Sequence, residues 1–213
     1  LADDTVRHAG DGVAAVAAVT EQQALDALEK IKIEYEELPN LFDPLEAMKD
    51  DALKIHNNES NIYATKTIIK GDVEQGFADS DFIFEKTFTT QMVEHVPMEP
   101  HASIAEWDAN GRVTLHSSLG RITLGRADVS RVLELPINRI RIIATVVGGN
   151  FGGKNEITTE PIVALLAKKT GRPVKCGLTR EDEFISTTTR HPFVMEYKTG
   201  MSKEGKIMAR KVR

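Results

Sequence analysis

Cysteine is almost absent from this chain of 213 residues, which contains only Cys176. A single cysteine excludes an internal disulfide and any cysteine-rich zinc or iron–sulfur site within the chain. It also fits a reducing compartment, so we expect a cytoplasmic protein. Because Cys176 falls in a predicted strand, we expect a small core residue there rather than a nucleophile.

Long apolar runs and an excess of basic residues are also missing. No run approaches the roughly 20 residues that a helix needs to cross a bilayer, so no membrane segment is expected. The net charge is −5 at pH 7, whereas nucleic-acid-binding domains are usually basic. The remaining composition, 41% apolar and 28% charged, is that of an ordinary globular protein. The chain starts without methionine and ends in a strand-like stretch, so we expect a piece of a longer polypeptide.

Hydrophobic periodicity predicts a mixture of helices and strands. Thr20 precedes an amphipathic stretch as a helix N-cap would, and Asn110-Gly111 between two alternating runs predicts a β-hairpin. Residues 40–65 lack sustained periodicity and are predicted to be a connecting segment. Strands are predicted at 12–20, 31–38, 82–91, 102–108, 112–118, 139–147 and 172–178, with a hairpin over 190–213 that turns at Lys203–Gly205. Helices are predicted at 21–30, 44–49, within 71–81, at 124–135 and at 155–171, the last with Gly171 as its C-cap.

A glycine-rich loop, "VVGGNFGGKNE" at 146–156, lies between a predicted strand and a predicted helix. Glycines let a backbone approach a ligand closely, and amides at a helix start attract anions, so the loop predicts an anion site. The spacing Gly148-x-x-x-x-Gly153-Lys154 nearly matches a nucleotide-triphosphate loop, but Asn155 replaces the Ser or Thr that binds Mg²⁺. The alternatives are a purely structural turn, a phosphate site, or a nucleotide-binding module that uses the 148–154 loop.

Several charged residues have both a structural and a functional interpretation. Lys154 is expected either to neutralise a phosphate or to end the loop in solvent. In "EHVPMEPH" at 94–101, Glu99 and the histidines His95 and His101 are predicted to organise a strand end through hydrogen bonds. A zinc site there would need a third well-spaced ligand, so no metal site is predicted. The run Arg180-Glu181-Asp182-Glu183 is predicted to be mainly solvated.

The set of motifs, in their order, resembles one enzyme family. The segments concerned are "VRHAGDGVAAVAAVTEQQALDALEKIKIEYEELPNLFDPLEAM", "EHVPMEPHASIAEWD", "VVGGNFGGKNE", "ALLAKKTGRPVKCGLTREDEF" and "RHP". Together they resemble the large subunit of molybdenum hydroxylases, the xanthine dehydrogenase and aldehyde oxidase family. The resemblance implies an α+β chain that contains the end of an α/β hammerhead domain at 1–40, a linker at 41–80, and the first part of a mixed α/β molybdopterin-binding domain at 81–213.

The resemblance also implies cofactor contacts in the glycine loop. Phe151, Gly152 and Gly153 match the family residues beside the metal, whose amides approach molybdenum ligands or pterin phosphates, and Gly148 and Gly149 precede them. Asn155 is the candidate for the substrate pocket: purine-oxidising members have a glutamate there, which argues against xanthine. Val93 stands where many members have a glutamine that hydrogen-bonds near a molybdenum oxygen.

The chemistry implied is hydroxylation of an N-heterocycle or oxidation of an aldehyde. It needs molybdenum and molybdopterin, with the cytosine dinucleotide form as one option. Iron–sulfur clusters and FAD would lie on partner subunits or domains, and the rest of the large subunit would be a further partner. The family's catalytic glutamate matches a position beyond Arg213. We therefore expect this chain alone to be inactive, to bind neither cofactor nor metal, and to form oligomers through uncovered apolar faces.

Overall fold

The computed structural model describes all residues from 1 to 213 and has a mixed α/β fold with two sheets. The helices are α1 (Glu21–Leu28), α2 (Pro44–Ala47), α3 (Val73–Ala78), α4 (Ile122–Val132), α5 (Glu160–Thr170) and α6 (Arg180–Ser186), and short 3-10 turns span Ile137–Arg139 and Gly153–Asn155. The strands are β1 (Phe82–Thr90), β2 (Ala102–Trp107), β3 (Val113–Ser117), β4 (Ile140–Ala144), β5 (Val174–Gly177), β6 (Phe193–Met201) and β7 (Ile207–Val212). None of the helices has the length and apolar character that crossing a membrane requires.

The chain forms two compact units. The first contains residues 1–33 and 92–190, and the second contains residues 34–91 and 191–213. The candidate site residues of the glycine loop all belong to the first unit.

The first unit is built on a four-stranded sheet in the order β4-β3-β2-β5. The predicted hairpin is confirmed: β2 and β3 are antiparallel, and Gly111 turns between them with a positive φ of 73°. β3 and β4 are parallel and are joined through α4, while α5 packs on β2. Alternating side chains of β3 enter the core, which consists of Ala105, Val113, Leu115, Val129, Ile140, Val163, Ala164 and Ala167.

Trp107 joins β2 to α5 at the edge of this core. Its indole Nε1 donates a hydrogen bond to the Ala164 carbonyl at 2.8 Å, and the Lys168 ammonium lies 5.2 Å from the ring centroid. Cys176 in β5 is half-buried against the same core, and burial, with weaker repulsion from nearby carboxylates, raises the pKa of its thiol. The thiol is therefore protonated at neutral pH, as expected of a core residue rather than a nucleophile.

Two predictions about the first 40 residues differ in outcome. The predicted helix is confirmed as α1, and the Thr20 hydroxyl accepts a hydrogen bond from the Gln23 N–H. The predicted strands at 12–20 and 31–38 are wrong, because both segments are unpaired. A period-two pattern specifies alternating faces, but a strand forms only when a neighbouring strand completes its hydrogen bonds. This chain offers no such neighbour to either segment.

The second unit is an antiparallel sheet in the order β1-β6-β7. Its β6–β7 hairpin turns at Gly205, which has a φ of 80°, as the sequence predicted. The helix predicted within 71–81 is confirmed as α3, which is capped by the Asp72 side chain and buries Phe77. Every residue of β1 is exposed, including apolar Phe84 and Phe88. One sheet and one short helix are too little structure to cover both faces of this strand.

Candidate functional site

The glycine loop follows β4 and contains three residues with a left-handed backbone conformation. Gly149, Phe151 and Gly152 have positive φ angles of 105°, 49° and 100°. Glycine adopts such angles without strain because it has no Cβ, but a bulky residue such as Phe151 does so only where the surroundings impose it. Strained residues of this kind cluster at ligand sites. The Phe151 side chain is 75% exposed, so its ring is available for contact.

Asn150 gives the loop its internal order. Its Oδ1 accepts hydrogen bonds from the N–H groups of Gly152 at 3.1 Å and Lys154 at 2.9 Å, and its Nδ2 donates to Asn155 Oδ1 at 3.2 Å. The Asn150 carbonyl also accepts from the Gly153 N–H at 2.9 Å. Sequence reasoning missed this residue. The available signal was an asparagine inside a glycine loop, because asparagine side chains commonly bind backbone groups two residues on.

Three consecutive backbone donors of the loop remain free. The N–H groups of Gly149, Asn150 and Phe151 donate to no acceptor in this chain, whereas those of Gly148 and of residues 152–155 are all engaged. Successive free N–H groups in a turn with left-handed residues form a concave site for anions. The predicted helix contribution is absent, because α5 begins at Glu160 rather than at Asn155. The loop amides are therefore the anion donors of this segment.

Lys154 does not end the loop in solvent, so that prediction for it is wrong. Its side chain is completely buried, and its Nζ lies 2.6 Å from Glu99 Oε2. The same carboxylate oxygen accepts the N–H of Gly148 at 2.8 Å, and the Glu99 N–H donates to the Gly148 carbonyl at 3.1 Å. The Glu99 side chain thus binds both the first glycine of the loop, Gly148, and the Lys154 side chain. Burial of a lysine requires such a partner.

The environment of Glu99 favours its ionised form. Burial by itself would raise its pKa, but the hydrogen bonds from Lys154 and from the Gly148 N–H, with the positive charge of Lys154, bring the pKa below the ordinary value of 4.5. The carboxylate is therefore charged at neutral pH and holds the loop continuously.

This ionisation makes the order of the loop sensitive to acid. A lowered pKa in the folded state means that Glu99 stabilises the fold above its ordinary value of 4.5 and that this contribution disappears as the pH falls through the folded-state value. We expect hydrogen-exchange protection of residues 148–155 to fall in that acid range. A Glu99→Gln variant should lack this step, and an identical acid dependence in the variant would contradict the assignment.

A second buried pair holds the other end of the loop. His101 Nδ1 lies 2.8 and 3.0 Å from the two carboxylate oxygens of Glu183, and its Nε2 lies 3.2 Å from the Gly153 carbonyl oxygen. The His101 backbone N–H also donates to Glu183. Both ring nitrogens therefore lie within hydrogen-bond distance of an acceptor oxygen. His101 and Glu183 are 4% and 0% exposed, so this is a buried hydrogen-bonded pair.

The prediction that residues 180–183 are mainly solvated is wrong for Glu183. These residues begin α6, whose capping box joins the Thr179 and Asp182 side chains and backbones. In this short helix Glu183 is the buried residue, whereas Glu181 stays exposed. Sequence alone favoured solvent because glutamate is almost never fully buried unless it is paired. Its partner, His101, lies 82 residues away in sequence.

His95, the other histidine of the 94–101 segment, also lies within hydrogen-bond distance of a backbone acceptor, as predicted. His95 Nδ1 lies 3.2 Å from the Thr188 carbonyl oxygen, and its ring lies so close to Gly153 that an added Cβ would come within 3.0 Å of it. No group of three or more His, Cys, Asp or Glu side chains is arranged to hold a metal ion. Val93 pairs through its backbone with Arg190 and is 47% exposed.

Comparison with known proteins identifies the family. The sequence profile of the molybdopterin cofactor-binding domain matches residues 55–213. The profile of the aldehyde oxidase and xanthine dehydrogenase a/b hammerhead domain matches residues 1–39. The chain belongs to this molybdopterin-binding family. The hammerhead and molybdopterin-binding fold class expected from the sequence is therefore confirmed.

Individual relatives agree with this family. The chain is 38% identical over its whole length to a probable subunit of xanthine dehydrogenase from Bacillus subtilis, of which it covers 28%. It is 37% identical, over 98% of its length, to the nicotinate dehydrogenase large molybdopterin subunit of Eubacterium barkeri, of which it covers 49%. The solved aldehyde oxidoreductase of Desulfovibrio gigas superposes with a TM-score of 0.87 at 31% identity, covering 92% of this chain and 22% of that one. The chain thus spans less than half the length of these relatives.

The nucleotide-triphosphate alternative is not supported by these comparisons. The geometry explains why the resemblance in spacing misleads. In a nucleotide-triphosphate loop the lysine reaches the phosphates, whereas Lys154 is buried on Glu99.

Proposed function

We propose that this chain forms one wall of the molybdopterin site in the catalytic subunit of a molybdenum-dependent oxidoreductase. The observation that carries the proposal is the row of free N–H groups at residues 149–151, next to the exposed ring of Phe151. Gly148, Gly149, Phe151, Gly152 and Gly153 are the proposed cofactor-contacting residues. The family profile over residues 55–213 supports this role.

The donor set fits an anionic cofactor. Molybdopterin carries phosphate and the metal carries oxygen ligands, and backbone amides bind such groups without adding a charge that would have to be desolvated. When bound, the cofactor supplies the redox chemistry for substrate oxidation. In this chain the loop supplies backbone N–H donors. Glu99, Lys154, His101 and Glu183 form the buried contacts that fix the loop's conformation.

The wider organisation follows as a set of proposals. Residues 1–40 belong to the hammerhead domain, 41–80 to a linker, and 81–213 to the molybdopterin-binding domain. The remainder of the large subunit supplies the general base and the other walls of the site. Iron–sulfur and FAD centres lie on partner subunits or domains, the cofactor of a bacterial enzyme takes the cytosine dinucleotide form, and the assembly is cytoplasmic and oligomeric.

The proposed substrate is an N-heterocycle or an aldehyde. Asn155 remains the candidate pocket residue from this chain, and its Oδ1 accepts a hydrogen bond from Asn150. A neutral amide in that position lacks the charge of a glutamate, which disfavours xanthine as the substrate. A relative that is named nicotinate dehydrogenase and is 37% identical supports the heterocycle option.

Metal and pterin analysis tests the proposed function. We expect the full-length subunit, produced with its partner subunits, to purify with stoichiometric molybdenum and pterin. The 213-residue chain by itself should carry neither, because the loop supplies only one side of the site. A full-length subunit without either component, or a 213-residue chain with stoichiometric molybdenum, would contradict the proposal. Calorimetric titration with Mg-ATP provides the control for the nucleotide alternative, and no binding is expected.

A further inference from the structure

We propose that Glu99 and Lys154 are positioning residues that set the spacing of the free loop amides and thereby control how tightly the loop holds its anionic ligand. Neither residue touches the ligand in this arrangement. The inference rests on the proposed function, because it assumes that residues 149–151 bind an anion.

The geometry of a single carboxylate oxygen supports this role. Glu99 Oε2 accepts from Gly148 N at 2.8 Å and from Lys154 Nζ at 2.6 Å, so it joins the two ends of the segment that contains all three free amides. The backbone bond from Glu99 N to the Gly148 carbonyl, at 3.1 Å, fixes the same glycine a second time. The free amides therefore lie on a loop whose ends are closed by one side chain.

The burial of Lys154 separates positioning from direct binding. Its side chain is completely buried, and Glu99 is its hydrogen-bond partner within the chain. An ammonium enclosed in this way neutralises Glu99 rather than a ligand phosphate. Glu99 is itself negative and would repel an anionic ligand, so its contribution to binding must come through the loop geometry.

The other supports of the loop do not duplicate this one. Asn150 and His101 hold residues 152–155, whereas Glu99 is the side chain that holds Gly148. Loss of Glu99 would therefore release Gly148 and leave the Lys154 side chain without its partner, so both ends of the segment with the free amides would lose a restraint. The free amides between these two points would lose their fixed spacing.

A double-mutant cycle in the full-length enzyme tests the proposal. The variants are Glu99→Gln, Lys154→Met and the combination of both, and the readout is molybdenum and pterin retained per chain after dialysis. We expect each single variant to weaken retention by about tenfold, because Glu99→Gln leaves Lys154 as an unpaired buried charge and Lys154→Met leaves the half-buried Glu99 carboxylate without its cation. The double variant should retain more cofactor than Lys154→Met alone, because both charges are gone and the introduced glutamine amide oxygen can still accept the Gly148 N–H. Lys198→Met is the matched control, since Lys198 forms an exposed pair with Glu85.

The results of this cycle distinguish direct ligand binding by Lys154 from positioning of the loop. If Lys154 bound the ligand directly, the double variant would retain no more cofactor than Lys154→Met alone, and the proposal would be overturned. Hydrogen exchange in the cofactor-free full-length chain is independent of cofactor binding. There, Glu99→Gln should accelerate exchange at 148–155 and leave β3 unchanged, and unchanged exchange at 148–155 would also overturn the proposal. A wild-type enzyme without cofactor would instead contradict the proposed function, while this exchange comparison would still decide on the positioning role.

Discussion

Replacing Glu183 with alanine is expected to lower the free energy of unfolding of the first compact unit by about 2–6 kcal/mol, because two buried donors lose their acceptor and each such loss costs about 1–3 kcal/mol. Glu183 is completely buried and accepts hydrogen bonds from both the ring and the backbone of His101. Its removal leaves these donors without an acceptor in a site that water does not reach.

The single tryptophan provides a specific probe for this effect. Trp107 contacts α5 within the first unit, so its fluorescence during urea unfolding reports on that unit. Glu181→Ala is the matched control, because Glu181 lies two residues away on the exposed side of the same helix, and a change within about 0.5 kcal/mol is expected. Equal effects of the two substitutions would show that burial of Glu183 contributes nothing.

Replacing Gly148 with alanine is expected to cost the full-length enzyme most of its bound cofactor. An added Cβ would lie 2.7 Å from the Cβ of Glu99, and neither atom can move away by a side-chain rotation. The backbone must shift, and overpacking of this kind costs about 1–3 kcal/mol. If the whole cost falls on the bound conformation of the loop, affinity decreases by a factor of about 5 to 150.

Cofactor content is the measurement for this substitution as well. Gly177→Ala is the matched control, because the nearest atom to its added Cβ would be Ala102 Cβ at 3.9 Å, an ordinary contact. The control should keep its molybdenum and pterin. If Gly148→Ala keeps them too, the loop does not need its observed path to bind the cofactor, and the proposed contact at residues 148–153 is wrong.

Local patterns in the sequence were sufficient for much of the fold. The hairpin at Asn110-Gly111, the end of α5 at Gly171 and the turn at Gly205 each depend on neighbouring residues, and each is confirmed. The family was recognisable for a related reason, because its motifs are short and occur in a fixed order. Hydrophobic periodicity did not predict the structure of residues 12–20 and 31–38 correctly. Strand formation there depends on neighbouring strands, which the local sequence does not specify.

By itself, then, the sequence determined the family, the order of most helices and strands, and the presence of a glycine loop suited to anions. The tertiary structure determined what the charged residues do. Lys154 and Glu183 look like solvent or ligand contacts in the sequence, but each is buried on a partner, Glu99 or His101, that is 55 or 82 residues away. The physical reason is that burial of a charge depends on a compensating group nearby in space. Sequence separation does not reveal such a group.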